Sequence, residues 1–240
     1  VAAWLTPIVD DAHAALMLSP SAMEARTYLT SRGVTTEEMV HFKLGYGDPT
    51  ITIGACTDEF GQWSTAYFFR KIILPLTSLT GDYVGLQTRS LREKGYRQFF
   101  AYSPEVYPFV FGAAQAAEEL WRTKRLVIVE GAFDCLAAAK VAPNTVATLT
   151  ASVPSTLRRF FRRYVASLTV FFDMDEPGRT AAESLASDPM KTYHVTVPAY
   201  PAHDPADLLY ERGVEVLRRL LIHASLVAES PILPATDEQS

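Results

Sequence analysis

Cysteine is almost absent: Cys56 and Cys135 are the only two in 240 residues, far apart and with no further Cys or His at ligand spacing. That excludes a disulfide framework and a zinc ribbon and fits a reducing compartment. No apolar run reaches the roughly 18 residues of a bilayer span, and no basic segment leads into an apolar one at the amino terminus. The expectation is a cytoplasmic protein without a membrane partner. Positive charge is also scarce: the net charge is −5 and the pI near 5.6, so any nucleic acid has to be held by a local basic surface. Internal repeats and low-complexity segments are missing. With 48% hydrophobic residues the chain can still build one large core or two small ones.

What is present is patterned. Residues 19 to 47 read as two short helices, opened by Ser19 and Pro20, stopped at Gly33, and restarted by a Thr35/Glu38 capping box. From about 66 to 100 the pattern becomes strands, Tyr67-Phe68-Phe69, Ile72-Ile73-Leu74 and Tyr83-Val84-Gly85-Leu86, with a Gly81-Asp82 turn. A small antiparallel sheet fits. The region carries Arg70, Lys71, Arg89, Arg92, Lys94 and Arg97 against Asp82 and Glu93, interleaved with Tyr96, Phe99, Phe100 and Tyr102. This is the composition of a single-strand groove that neutralises phosphates and stacks bases. It is equally the composition of a charged sheet edge over an aromatic core.

From residue 125 the order is strand and helix in alternation. The strands are Leu126 to Val129, Thr145 to Leu149, Leu168 to Phe172 and Tyr193 to Val197; the helices lie near 132 to 141, 155 to 166 and 177 to 187. That order predicts a parallel sheet with right-handed crossovers. An Asp- and Pro-rich loop, 201 to 209, then leads into an amphipathic helix over Asp207 to Leu226, and a frayed tail follows from Glu229.

Carboxylates gather where strands end. Glu130, with Asp134 four residues on, follows the first strand; Asp173 and Asp175 follow the third; Asp204 and Asp207 follow the fourth. Ligands of open parallel sheets bind beyond the carboxyl ends of the strands, so the three clusters converge there. Hard oxygen donors suit Mg²⁺, with Mn²⁺ as a substitute, and point to phosphate chemistry. A helix cap accounts for any one of these acids alone, Asp207 in particular; three clusters at equivalent positions favour a shared metal site. Asp173 and Asp175 alternate in an extended segment and bracket the cation, with Met174 turned to the packed side, while Glu130 serves as ligand or general base. Pro177-Gly178-Arg179 opens a helix whose amino terminus and Arg179 face phosphate. Arg158, Arg159, Arg162 and Arg163 read as a solvated helix face, and His194 and His203 receive no catalytic role.

Val129-Glu130-Gly131-Ala132-Phe133-Asp134, Phe172-Asp173-Met174-Asp175-Glu176-Pro177-Gly178-Arg179 and Asp204-Pro205-Ala206-Asp207-Leu208-Leu209 resemble the signature motifs of the TOPRIM fold. They resemble especially the form found in bacterial and phage replicative primases. Upstream, Tyr28-Leu29-Thr30-Ser31-Arg32-Gly33 with His41-Phe42-Lys43-Leu44-Gly45-Tyr46 is similar to the segment that opens the primase polymerase core. Lys71-Ile72-Ile73-Leu74-Pro75-Leu76, Arg89 and Tyr102-Ser103-Pro104-Glu105 resemble its basic subdomain. The resemblance implies an α/β protein: a mixed basic subdomain over residues 1–118, a TOPRIM sheet over 119–200 with helices on both faces, and an acidic loop with a C-terminal helix over 201–240. It implies Glu130, Asp173 and Asp175 as central acids, assisted by Asp134 and Asp204, with Asp207 offset by one from a common form of its motif. Lys71 and Arg89 become template or nucleotide contacts, beside Arg92, Lys94, Arg97 and Arg179.

The implied activity is a DNA primase core joining ribonucleoside triphosphates on single-stranded DNA with Mg²⁺, with a replicative helicase and a separate zinc-binding module as partners. Two departures stand out: Val106 to Phe111 replaces a lysine-bearing segment, and Thr150-Ala151 replaces a Gly-Thr. Competing readings are a TOPRIM nuclease, which shares the acids, and a degenerate core that only binds single strands or a helicase.

Overall fold

The computed structural model describes residues 4–47, 56–58, 63–64, 68, 70–92, 95–100, 110–150 and 153–227. Lys94, Tyr67, Phe69, Ala151, the segment from Tyr102 to Phe109 and the tail from Glu229 lie outside them.

The chain begins with helix α1 (Leu5–Leu18), which the sequence reading passed over. Its apolar positions Leu5, Val9, Ala12 and Leu16 recur at helical spacing and are all buried. Leu5, Val9 and Ala12 pack on Phe68, Ile73, Leu86 and Phe99. Burying an aliphatic side chain of this kind contributes about 1.5–3 kcal/mol, so α1 is integral to the subdomain. Helices α2 (Met23–Ser31) and α3 (Thr36–His41) follow as expected. Gly33 has φ 77° between them, and the Thr35/Glu38 capping box is formed.

The first sheet is antiparallel around β4 (Lys71–Thr77), β5 (Tyr83–Ser90) and β6 (Tyr96–Phe100), with β1 (Gly45–Tyr46), β2 (Cys56–Asp58) and β3 (Trp63–Ser64) at its flanks. Helix α4 (Ala113–Thr123) leads into the second sheet. That sheet is wholly parallel, in order β10-β9-β7-β8, from β7 (Arg125–Val129), β8 (Thr145–Ala147), β9 (Ser167–Val170) and β10 (His194–Thr196). The connecting helices are α5 (Ala132–Ala139), α6 (Ser155–Tyr164) and α7 (Glu176–Ala186). Helix α5 packs in one core cluster with the first sheet, and α4, α6 and α7 pack in another, so helices cover both faces. The expected single helix over Asp207 to Leu226 is two: α8 (Pro205–Arg212) and α9 (Val214–Val227). Gly213, at φ 81°, takes a left-handed conformation that breaks the run.

The two sheets are joined by a bridge. Phe111 N–H donates to Ala147 O (3.0 Å) and Ala147 N–H to Phe111 O (2.9 Å), extending the parallel sheet by an antiparallel contact. Ile72, Leu74 and Leu76 of β4 share one apolar cluster with Val127, Val129, Phe133 and Phe111.

Candidate metal centre and nucleic-acid face

Strand order sets the site. β8 lies on one side of β7 and β9 on the other, so the chain leaves these strands in opposite directions and opens a crevice at their carboxyl ends. Glu130 follows β7 and Asp173 follows β9 at that point. Asp173 N–H donates to Glu130 Oε1 (3.3 Å). Glu130 precedes Gly131, the N-cap of α5, and so lies outside the helix that carries Asp134.

Asp134 is buried inside the first turn of α5. Its Oδ2 accepts from Gly131 N–H (3.1 Å) and its Oδ1 from Ala206 N–H (3.1 Å), so it ties the start of α5 to the start of α8. Asp204, rather than Asp207, caps α8: its Oδ1 accepts from Asp207 N–H (2.6 Å). Asp175 caps α7 through Gly178 N–H (2.8 Å), so the capping role foreseen for single acids and the clustering occur together. Asp175 keeps an extended backbone (φ −84°, ψ 177°) as the N-cap of α7, with a bend at Met174 and Asp175 after Asp173. Met174 packs against the core as expected. Arg179 Nη1 donates to Met174 O (2.6 Å), closing the acidic loop rather than standing apart from it.

His203, set aside in the sequence, belongs to the site. His203, Asp204 and Asp207 each present a ligand atom, all within 4.8 Å of one another. Only the neighbouring carboxylates had signalled this position.

Burial, and after it the crowding of like charge, raises the pKa values of Glu130, Asp134 and Asp173. Burial, then the charge of Asp173, pushes Glu130 up to about 7. Burial, then Asp204, pushes Asp173 up to about 6. Asp134 is raised well above the carboxylate range by burial, then by Asp204 and Asp173. Asp173 Oδ1 is buried and has no hydrogen-bond partner among the described residues. A bare buried carboxylate oxygen amid mutually repelling acids fits a hard divalent cation, as does an oxygen-rich donor set. Asp173, Glu130, Asp175, Asp204 and Asp207, with His203, are the residues placed to hold one.

A pH effect follows. Carboxyls raised in the folded state stabilise it fully below their unfolded pKa, and that contribution is lost as pH rises through the folded values, here between about 4 and 7. Both groups are partly exposed, so screening trims the effect to about 2 kcal/mol in all, or a Tm change of about 4–8 °C. In EDTA, Tm should fall by that much between pH 5 and 8; Mg²⁺ should recover it at pH 8 and do little at pH 5. Equal Mg²⁺ effects at both pH values would show that these carboxyls do not hold the ion.

The predicted basic groove divides between two faces. Cross-strand neighbours share a face, and Arg97 pairs with Thr88, which pairs with Ile73 on the side covered by α1. Lys71, two residues before Ile73, lies on that side too. Arg89 pairs with Ile72 and Tyr96 and faces the parallel sheet. Its guanidinium lies over the Tyr96 ring (5.1 Å), with Nη1 donating to Gly95 O (3.3 Å). Arg92 is exposed in the bend after β5. The structure adds residues not singled out as contacts: Arg32 lies over Phe133 (5.6 Å), and Tyr28 meets the same ring edge-on (5.9 Å). Arg32, Arg89, Tyr28 and Tyr96 thus form a basic and aromatic group beside Asp134, whose charge acts on Tyr96. Phe99 belongs to the core under α1. Arg158 and Arg162 are not a solvated face, because both pair with Asp188 (3.8 and 2.7 Å). Arg159 and Arg163 are exposed.

A four-stranded parallel sheet with paired acids at its switch point defines the class, and the "Toprim-like" family model (Toprim_2) matches residues 127–209. The DNA primase of Chlamydia pneumoniae is 28% identical over 84% of this chain, which spans only 38% of that protein. The RNA polymerase domain of Mycobacterium tuberculosis primase DnaG superposes with a TM-score of 0.76 at 23% identity, covering 92% of this chain and 82% of that one. A DnaG primase catalytic domain bound to single-stranded DNA gives 0.68 at 20% identity over 92% and 79%. The fold, a parallel TOPRIM-like sheet preceded by an antiparallel subdomain, is that of the DnaG-type primase RNA polymerase domains, which this chain resembles over most of its length.

Proposed function

We propose that this chain is the catalytic core of a DNA primase, building short RNA primers on single-stranded DNA. The observation that carries the reading is the bare Asp173 Oδ1 in an acidic centre, with Arg32, Arg89 and Tyr96 grouped on the side of Asp134. A bound Mg²⁺ or Mn²⁺ supplies Lewis acidity and offsets charge developing on the transferred phosphate. Glu130 helps hold the cation, and the proton of the primer 3′-hydroxyl passes to water as that oxygen attacks the α-phosphate and pyrophosphate leaves. Asp134 orients α8 and so places Asp204 and Asp207. Arg32 and Arg89 hold template phosphates, and Tyr96 offers a stacking surface. Lys71, Arg97 and Arg179 have secondary roles, because two lie on the far face of the sheet and the third closes the acidic loop.

The working unit pairs residues 1–118, which hold template, with 119–200, which hold the acids, and 201–240 complete the site through Asp204 and Asp207. A replicative helicase and a zinc-binding module on another segment or polypeptide are its partners, and the cytoplasm its location. Among the described residues no helix is long and apolar enough to cross a membrane.

The test is primer synthesis from labelled ribonucleoside triphosphates on a mixed single-stranded DNA library, with Mg²⁺ and then Mn²⁺. Short RNA products are expected. Replacing Arg89 by Ala should raise the template KM about tenfold and lower the salt dependence of binding by about one counterion, whereas Arg97→Ala should change it little. Cleavage of DNA in the absence of nucleotides would instead establish the nuclease alternative.

A further inference from the structure

The peptide unit joining Phe172 to Asp173 is held at both ends. Its N–H donates to Glu130 Oε1 (3.3 Å), and its carbonyl oxygen accepts from the Tyr200 hydroxyl (2.7 Å). The next carbonyl, Asp173 O, lies against Gly178 with no room for a side chain. Met174 N–H then donates to His203 O (2.9 Å), and Met174 O accepts from Arg179. Of the ties at the Phe172–Asp173 peptide, one is a carboxylate of the metal centre itself. Glu130 gives up hydrogen-bonding capacity when it engages a cation, and the remaining tie is Tyr200. The Tyr200 ring is buried and packs edge-on against Phe171 at 4.5 Å between centroids, which fixes the direction of its O–H.

We infer that Tyr200 is a positioning residue for the metal centre, its hydroxyl setting the Phe172–Asp173 peptide so that Asp173 Oδ1 stays bare and aimed at the cation. The inference rests on the reading of the acidic centre as a metal site. Tyr200 and His203 belong to one short segment ahead of α8, so that segment acts as a strap over the acidic loop and brings Asp204 and Asp207 to it. The hydroxyl contacts neither metal nor substrate in this role. It acts through the backbone.

The experiment is Mn²⁺ binding to the full chain at pH 8 by calorimetry and by the electron paramagnetic resonance of free Mn²⁺. Tyr200→Phe keeps the ring on Phe171 and deletes only the donor. Mn²⁺ affinity should fall about tenfold, the effect of losing one buried hydrogen bond, with unchanged stoichiometry. Tm in EDTA measures any purely structural role separately. Incorporating p-aminophenylalanine at position 200 restores an N–H donor at the same place and should return affinity to within about threefold of the parent. Parent-like Mn²⁺ binding by Tyr200→Phe, with or without a lower Tm, would overturn the inference. So would weak binding by a folded p-aminophenylalanine protein, which also decides the matter if the phenylalanine variant does not fold. A parent chain that binds no Mn²⁺ would instead overturn the metal reading beneath it.

Discussion

Replacing Asp173 by Asn should lower primer synthesis by at least about a thousandfold while making the metal-free protein more stable. The two effects have one cause. Asp173 stands among Glu130, Asp175, Asp204 and Asp207, and its raised pKa measures how strongly the fold resists its charge. Asparagine is nearly isosteric, keeps the N–H that meets Glu130, and removes that charge. At pH 8 the relief should be worth about 1 kcal/mol after allowance for partial exposure, seen as a Tm in EDTA higher by about 2–4 °C. The same change removes the buried oxygen that has no hydrogen-bond partner among the described residues and is proposed to meet the cation. A thousandfold loss corresponds to about 4 kcal/mol of transition-state stabilisation, within the range ascribed to a bound metal ion. Mg²⁺ should then cease to raise Tm. Nearly full synthesis by Asp173→Asn would remove Asp173 from the chemistry, and a lower Tm in EDTA would mean that its charge stabilises the fold.

Much of this centre was legible in the sequence because a parallel sheet makes strand ends equivalent places. Once Leu126 to Val129 and Leu168 to Phe172 read as buried strands, Glu130 and Asp173 fell at the same edge of the sheet, and the strand order made them neighbours. The Thr35/Glu38 capping box and the stop at Gly33 were local signals and formed as read, and Ile72 to Leu74 and Tyr83 to Leu86 lie in strands, whereas Phe68 of the expected strand Tyr67-Phe68-Phe69 lies in none and its two neighbours fall outside the described residues. What failed depended on contacts distant in sequence or on register. Asp134 and Asp204 look alike in sequence, yet one is consumed by two backbone N–H groups and the other caps a helix while facing His203. His203 is an exception, because its partners Asp204 and Asp207 are its sequence neighbours and only its residue type kept it aside. The basic stretch could be counted but not assigned to faces, because a one-residue step in a strand reverses the side: Arg89 and Lys71 part on parity alone. Arg32 and Tyr28 joined the group only when α2 met α5 through Phe133. Helix α1 is a different case. Its spacing was visible, but amid small and polar residues the apolar positions stood out only when the sheet beneath them was known.

Gly178→Ala should be as damaging as the loss of a catalytic acid, although an alanine inside a helix ordinarily stabilises it by about 1 kcal/mol relative to glycine. The sign reverses because of what the methyl would meet. A Cβ at Gly178 would lie 2.2 Å from Asp173 O and 2.7 Å from Glu130 Oε1. The first is backbone and cannot swing aside; the second belongs to a group proposed to hold the cation. Accommodation therefore means moving α7 away from the acidic loop, which breaks the bond between Gly178 N–H and Asp175 Oδ1 and pulls Asp175 with it. Overpacking and the lost cap together should cost about 3 kcal/mol, a Tm lower by about 6–12 °C. Primer synthesis and Mn²⁺ affinity should each fall by more than about a hundredfold, because misplacing reacting groups by an ångström has that effect by itself. Thr180→Ala is the control, since Thr180 lies two residues further along the same helix with an exposed hydroxyl bonded only within it. A Gly178→Ala protein with parent-like Tm and Mn²⁺ affinity would mean that α7 and the acidic loop are not packed together as found, and Asp175 would lose its place in the centre.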